Sequence, residues 1–344
     1  MSSPAPTTGS GPASRHGLNS SHAQAARPPA TGSGPALRHG LSGASMRAFS
    51  QQAARLAVRA LYAELALYPK PGLVSLVDNG SHEDMTALTF MRSLFSLRHY
   101  FAAIFRAGME EAPFARLKQL GIAAERRMMA ATGGVNTHRG AIFALGMLCA
   151  ALGRQLARPG AAPLAQPAGP VTASAASRRT APAGSASLRA ALLAGWGDAL
   201  AAHSLAAPDG SHGRRAAQLH AASGAREEAA LGLPSVFLVG LPALETTLAR
   251  SGDMHLARVE ALFALMAHVS DTNVLHRGGK AGAEMVRHEA RRFLARGGTA
   301  HPDWRAHALD THRLFVRHKL SPGGAADLLA ACCLVHAFSA QAWG

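Results

Sequence analysis

Thirteen consecutive residues without a charge, Ala141 to Gly153, set the strongest constraint on how this chain can fold. Ala and Leu dominate the run, and no charged residue offers it a solvated face, so it predicts a helix buried on most of its sides. A second signal has the same period. Phe90, Leu94, Leu97, Phe101, Ile104 and Phe105 recur at spacings that put all six on one helical stripe, and Val259, Leu262, Phe263 and Met266 repeat the pattern.

The composition agrees with an all-α reading. Hydrophobic residues make up 48% of the 344 positions while aromatic residues are only 5%, and β-branched runs are scarce. Helices are expected near 46–67, 86–108, 114–131, 138–157, 188–206, 214–230, 235–250, 254–269, 281–296, 303–318 and 323–341. Only Val236 to Val239 has a strand-like composition, and Pro234 and Pro242 around it fit one short core helix equally well. The expected architecture is a multi-helix globular bundle.

Two stretches look different. Residues 1–44 are rich in Ser, Gly, Pro and Ala, and the pattern Thr8 to Leu18 returns at Thr31 to Leu41. Such a segment buries too little apolar area to offset its ordering entropy, so a disordered low-complexity tail is expected there. A flexible low-complexity insertion is expected at about 158–187, inside a single catalytic domain covering 45–344.

The formal net charge of +15 raises the question of nucleic acid. Four Arg in residues 1–50 and five in residues 154–189, with no acid in either, supply nine of those charges and leave only +6 for the rest. Lys and Arg are not gathered into a basic helix, so the reading expects polyanionic small molecules rather than nucleic acid. Cys149, Cys332 and Cys333 lack zinc-site spacing and sit in apolar patterns, which points to core thiols. With no apolar N-terminal segment and no run long enough to span a bilayer, a cytoplasmic protein without a membrane partner is expected.

Polar residues concentrate at four glycine-containing junctions: Pro69 to Met85, Ala131 to Gly140, Asp271 to Lys280, and Leu320 to Asp327. The first turn of a helix carries unpaired N–H groups and a partial positive charge, which favours phosphate. On this reading Lys70, Ser81, Asn136, Thr137, Arg139, Arg277, Gly278, Gly279, Lys280, Gly323 and Gly324 are candidates for nucleotide binding, with Arg226 added from the 211–234 segment. Asp84, Asp271 and Asn273 offer hard oxygen ligands of the kind Mg²⁺ prefers beside nucleotide phosphates. Of the adjacent Glu227 and Glu228, at most one is expected to face a site. Each junction taken singly also fits plain helix capping: Ser81 with Asp84 has capping-box spacing, Asn136 or Thr137 fits an N-cap, and Ser321-Pro322 fits a cap followed by proline. A lone histidine such as His82, His138 or His212 is more often structural than catalytic.

Together, Pro69-Lys70-Pro71-Gly72-Leu73-Val74, Gly80-Ser81-His82 with Asp84-Met85, Gly134 to Phe143, Asp271-Thr272-Asn273 with Arg277-Gly278-Gly279, and Ser321 to Leu329 resemble the triphosphoribosyl-dephospho-CoA synthase family, in order, over about residues 50–341. The run Leu73 to His82 with Thr89 to Phe101 is similar to the malonate decarboxylase branch, and Ser75 stands where the citrate lyase branch is expected to carry Asp. Leu233 and Leu219-His220-Ala221 depart from the family pattern.

The resemblance implies a transferase that takes ATP and 3'-dephospho-CoA, joins the ATP ribose to a ribose hydroxyl of the second nucleotide and releases adenine. Its product would go to a prosthetic-group transferase serving an acyl carrier protein. On that footing Asp84, Asp271 and Asn273 would hold Mg²⁺, and Lys70, Arg139, Arg277 and Lys280 the phosphates. His82 or His138 would move a proton, and Asp327 or Glu228 would face the sugar. A helical Mg²⁺-dependent ribosyl hydrolase acting on ADP-ribose links, or a non-catalytic nucleotide or nucleic-acid binder, would use much of the same inventory.

Overall fold

The uncharged run does form the helix at the centre of the molecule. A computed structural model describes residues 42–157, 183–205 and 224–340, all within one compact unit, His39–Gly344. The expected tail over 1–44 lies almost wholly outside the described residues, as does most of the expected insertion. Among the described residues there are helices and turns but no strand, so the chain is all-α.

The helices are α1 (Gly43–Leu65), α2 (Ala87–Ser96), α3 (Arg98–Met109), α4 (Phe114–Ala131), α5 (Arg139–Leu156) and α6 (Ala183–Leu205). After them come a short α7 (Gly224–Ala230), α8 (Leu241–Ser251), α9 (Met254–His268), α10 (Thr272–Ala295), α11 (Trp304–Arg317) and α12 (Gly323–Ser339). No single helix among the described residues is long and apolar enough to cross a membrane.

Every residue from Ala144 to Gln155 on α5 is buried, and α1, α3, α4, α6 and α12 pack around it. The closest crossing is with α3. A Cβ on Gly153 would overlap the carbonyl oxygen of Phe105, and one on Gly108 would overlap that of Ala150, so glycines on both helices let the two backbones touch. Leu94, Leu97, Phe101, Ile104 and Phe105 of the predicted stripe are buried here, although the chain divides at Leu97 into α2 and α3. α12 is apolar around most of its circumference and fills the space between α1, α5 and α9.

Two helix starts depart from the sequence reading. α6 begins at Ala183, inside the stretch expected to be flexible through 187. The helix expected over 235–250 is present, its strand-like Val236 to Val239 forming a π-helical turn, Ser235–Gly240, that runs directly into α8. The helix expected from 281 starts nine residues earlier, at Thr272, because Asp271 caps it, and Arg277 to Lys280 lie inside α10 and not in a loop ahead of it. There the helix kinks at Gly279, whose φ of 60° and ψ of −159° belong to a region open in practice only to glycine.

Replacing Gly108 with Ala should destabilise the fold by about 2 kcal/mol, since the added methyl meets backbone that cannot swing aside. Gly197→Ala on α6, where the new Cβ would find only ordinary contacts with Leu193, should stabilise by about 0.5–1 kcal/mol. Urea unfolding followed by circular dichroism reads both, and equal effects would contradict the packing described.

Candidate active site

Three of the four polar junctions open on one cavity of about 480 Å³. The starts of α5, α10 and α12 supply Asn136, Thr137, Arg139, Gly140, Asp271, Asn273, Gly323, Gly324 and Asp327, and α7 adds Arg226, Glu227 and Glu228. Both glutamates of the adjacent pair line it, where at most one was expected, because the short α7 lies along the wall. Glu227 is exposed and Glu228 half-buried.

Two carboxyls, Asp271 buried and Asp327 half-buried, hold these helix starts together. Asp271 accepts from the N–H groups of Asn273 (2.9 Å) and Val274 (3.3 Å) on its own helix and from Ala325 N–H on α12 (3.1 Å). α12 has no side-chain cap of its own, Pro322 standing at that position, so Asp271 caps both helices. Asp327 does the same for α5. It accepts from Ala141 N–H, and a Cβ on Gly140 would overlap its Oδ2. Asn136 accepts from Arg139 N–H at 3.2 Å, which is the capping role the sequence allowed it.

These bonds alter the expected chemistry. First-turn donors of α10 and α12 are taken by Asp271 and are not left for phosphate. Burial raises the carboxyl of Asp271, opposed by the backbone N–H groups that point at it. Asp327 is raised well above its ordinary value, first by burial and then by the negative charges of Glu64 and Asp271. Among the described residues the cavity is lined by three cations, Lys118, Arg139 and Arg226, against five carboxyls, Glu125, Glu227, Glu228, Asp271 and Asp327. Arg139 donates from Nε to Glu125 at 2.6 Å, and Glu228 accepts from the Ser235 hydroxyl and from Ser235 N–H at 3.2 Å.

Several predicted site residues lie elsewhere. Lys70 is almost fully buried, and its Nζ donates to the Glu64 carboxylate at 2.6 Å and to the Glu64 carbonyl at 3.0 Å, which occupies it as an internal brace and not as a phosphate ligand. His138 is also buried, outside the cavity lining, with Nδ1 2.6 Å from the Ser93 hydroxyl and no hydrogen-bond partner at Nε2. Burial and then the Lys70 charge push it down to about 3, so it is neutral at ordinary pH.

Ser81, His82 and Arg277 form a clasp beside the cavity. The Ser81 hydroxyl donates to Leu320 O (2.6 Å), and His82 Nε2 meets the Ser321 hydroxyl (2.7 Å). Arg277 donates to Ser81 O (3.0 Å) and lies 3.0 Å from His82 Nδ1. The clasp ties the 66–86 loop to the turn that delivers Gly323 and Gly324, which leaves His82 and Arg277 structural partners already. Asp84 is largely exposed, 3.5 Å from His82, and is not in the lining with Asp271 and Asn273. The capping box predicted from Ser81 and Asp84 is absent too, because α2 starts later and is capped by Thr86. Gly278, Gly279 and Lys280, at the kink of α10, are likewise outside the lining. Among the described residues no group of three or more His, Cys, Asp or Glu side chains is arranged to hold a metal.

Sequence reasoning missed Glu64, whose α1 position looks like any helix residue, and the Phe114, Phe143 and His203 wall, which comes from three separate helices. No local signal joins those three.

Comparison with known proteins supplies the remaining context. The profile of a family described as ATP:dephospho-CoA triphosphoribosyl transferase matches residues 50–344. A protein from Acinetobacter calcoaceticus named probable 2-(5''-triphosphoribosyl)-3'-dephosphocoenzyme-A synthase is 40% identical over 283 residues, 81% of this chain and 89% of that protein. Proteins of the same name from Pseudomonas fluorescens (strain Pf0-1) and Azotobacter vinelandii are each 38% identical, over 83% and 82% of this chain and 91% and 90% of their own lengths. No solved structure matches the chain. A family match across nearly all of the described fold, together with relatives about 40% identical over most of the chain, means that this chain belongs to the ATP:dephospho-CoA triphosphoribosyl transferase family of enzymes.

Proposed function

We propose that the cavity joins the triphosphoribosyl group of ATP to a ribose hydroxyl of 3'-dephospho-CoA with release of adenine. The observation that carries this reading is the pair of carboxyls, Asp271 and Asp327, set at three helix starts in the same cavity as Arg139 and Arg226. The bond from C1' of the ATP ribose to adenine breaks and its electron pair leaves with the base. The incoming hydroxyl oxygen bonds to C1' and loses its proton. Asp327, its carboxyl raised well above the ordinary value by desolvation, is suited to protonate departing adenine. Glu228, braced by Ser235, is suited to face the positive charge that develops at the sugar carbon or to accept the hydroxyl proton.

An excess of carboxyls over cations is a poor wall for a triphosphate unless a divalent cation lies between them. The donor set fits Mg²⁺ taking most of its oxygens from phosphate and water, with Asp271 and Asn273 as the protein ligands and Asp84 set aside. When bound, that ion neutralises phosphate charge next to the acids. Arg139 and Arg226, with Lys118, then hold the outer phosphate oxygens.

The similarity of Leu73 to His82 to the malonate decarboxylase branch supports a product destined, through a prosthetic-group transferase, for that enzyme's acyl carrier protein. Ser75 fits this as a branch marker and not as a site residue: its hydroxyl accepts from Val77 and Asp78 N–H in a turn apart from the cavity lining. Catalysis in the cytoplasm is part of the same proposal.

Incubating the purified chain with Mg-ATP and 3'-dephospho-CoA should yield equal amounts of free adenine and a product of the summed mass less adenine, read by mass spectrometry. Adenine release that ignores dephospho-CoA would instead identify a hydrolase. Chelating the divalent cation should abolish the reaction, with activity restored by added Mg²⁺.

Asp327→Asn should lower the rate at least about a hundredfold. Its effect on stability should have the opposite sign. A carboxyl raised in the folded state binds more protons there than in the unfolded chain, so stability falls as pH rises from its ordinary value of 3.8 towards the raised one. Asn cannot ionise, and the variant's melting temperature should therefore gain on the parent's as pH increases above about 4. A gap independent of pH would show that Asp327 is not the perturbed group.

A further inference from the structure

The cavity has two chemically different ends. One is the polar end of helix starts and carboxyls. At the other, Phe114 of α4, Phe143 of α5 and His203 of α6 come together, with Ile122 and Leu231 beside them. His203 contacts both phenyl rings, at centroid distances of 5.3 Å from Phe114 and 6.4 Å from Phe143, with interplanar angles of 57° and 43°.

None of the three rings is fully buried, and two apolar side chains of this wall are open, Ile122 at 43% and Leu231 at 64% exposure. Apolar and aromatic groups left exposed on a concave wall, within the influence of the Arg226 and Lys118 charges, are what an amphipathic ligand with a flat apolar part requires. A nucleotide is such a ligand.

We propose that Phe114, Phe143 and His203 form the seat of a purine base, holding the ring by stacking and edge contacts while the polar end holds the phosphates. The proposal rests on the nucleotide reading of the cavity. It adds which side chains distinguish a nucleotide from a bare polyphosphate. Stacking on aromatic faces needs no hydrogen-bond code, so the seat would take the base of either adenine nucleotide. Burial, then the charges of Arg226 and Lys118, lower His203, and a neutral imidazole presents one donor and one acceptor to a purine edge.

The test uses the full chain and two ligands, Mg-ATP and Mg-tripolyphosphate, with affinities read by isothermal titration calorimetry. His203→Ala and Phe114→Ala should each weaken ATP at least tenfold and tripolyphosphate less than twofold. His203→Phe, which keeps a flat ring, should bring ATP back to within threefold of the parent. A parallel loss of both ligands would overturn the proposal by showing that the aromatic wall only shapes the cavity, and unchanged ATP affinity would overturn it as well. The same titration with 3'-dephospho-CoA should show a comparable loss, since stacking does not distinguish the adenine of one nucleotide from that of the other. If the parent shows this selectivity yet releases no adenine with both substrates present, the transfer reading fails while the purine seat stands.

Discussion

Everything at the cavity depends on two carboxyls that cap helices other than their own. Asp271 starts α10 and also closes the first turn of α12, and Asp327 on α12 closes the first turn of α5. The three helices meet at their positive ends, an arrangement that needs negative charge between them. Because the bonds run between helices, the separation of the three starts is held by hydrogen bonds in a buried setting, where removing an acceptor leaves donors unsatisfied. Rigidity at the cavity and cohesion of the bundle therefore have the same source.

That solution has a chemical consequence. Helix starts already satisfied by protein carboxyls do not act as open phosphate cradles, and the positive ends instead make it tolerable to keep two acids in one cavity wall. Asp327 is raised well above its ordinary value, first by desolvation and then by the charges of Glu64, on the α1 side, and Asp271. Glu64 is itself neutralised by Lys70, so a lysine that never reaches the cavity influences both the acid at its wall and the buried His138. The Ser81, His82 and Arg277 clasp is the outer counterpart, fixing the turn before α12 from the opposite side.

Much of the fold was legible in the chain. The uncharged stretch of α5 and the stripe shared by α2 and α3 encode their burial through period and charge alone. The misreading of α10 lies where glycine was taken as a loop signal: Gly278-Gly279 kinks a continuous helix instead of preceding one. At the cavity, Asn136, Thr137, Arg139, Arg226, Glu228, Asp271, Asn273, Gly323, Gly324 and Asp327 were all noticed from their junctions and do line it. Lys70, Ser81, His82, Asp84, His138, Arg277 and Lys280 looked equally suited and do not, because motif density reports that a segment is specialised without saying whether its side chains face a ligand or a neighbouring loop.

By itself the sequence determined that the chain is helical, which faces are apolar, and which family it belongs to, since all of these follow from local spacing or from ordered motifs. Tertiary structure alone decided which carboxyl caps which helix, which cations remain at the cavity, and how three rings from α4, α5 and α6 come to share one wall. The physical reason is that burial, protonation and cavity shape depend on distances between residues far apart in the chain, and no local pattern carries those distances.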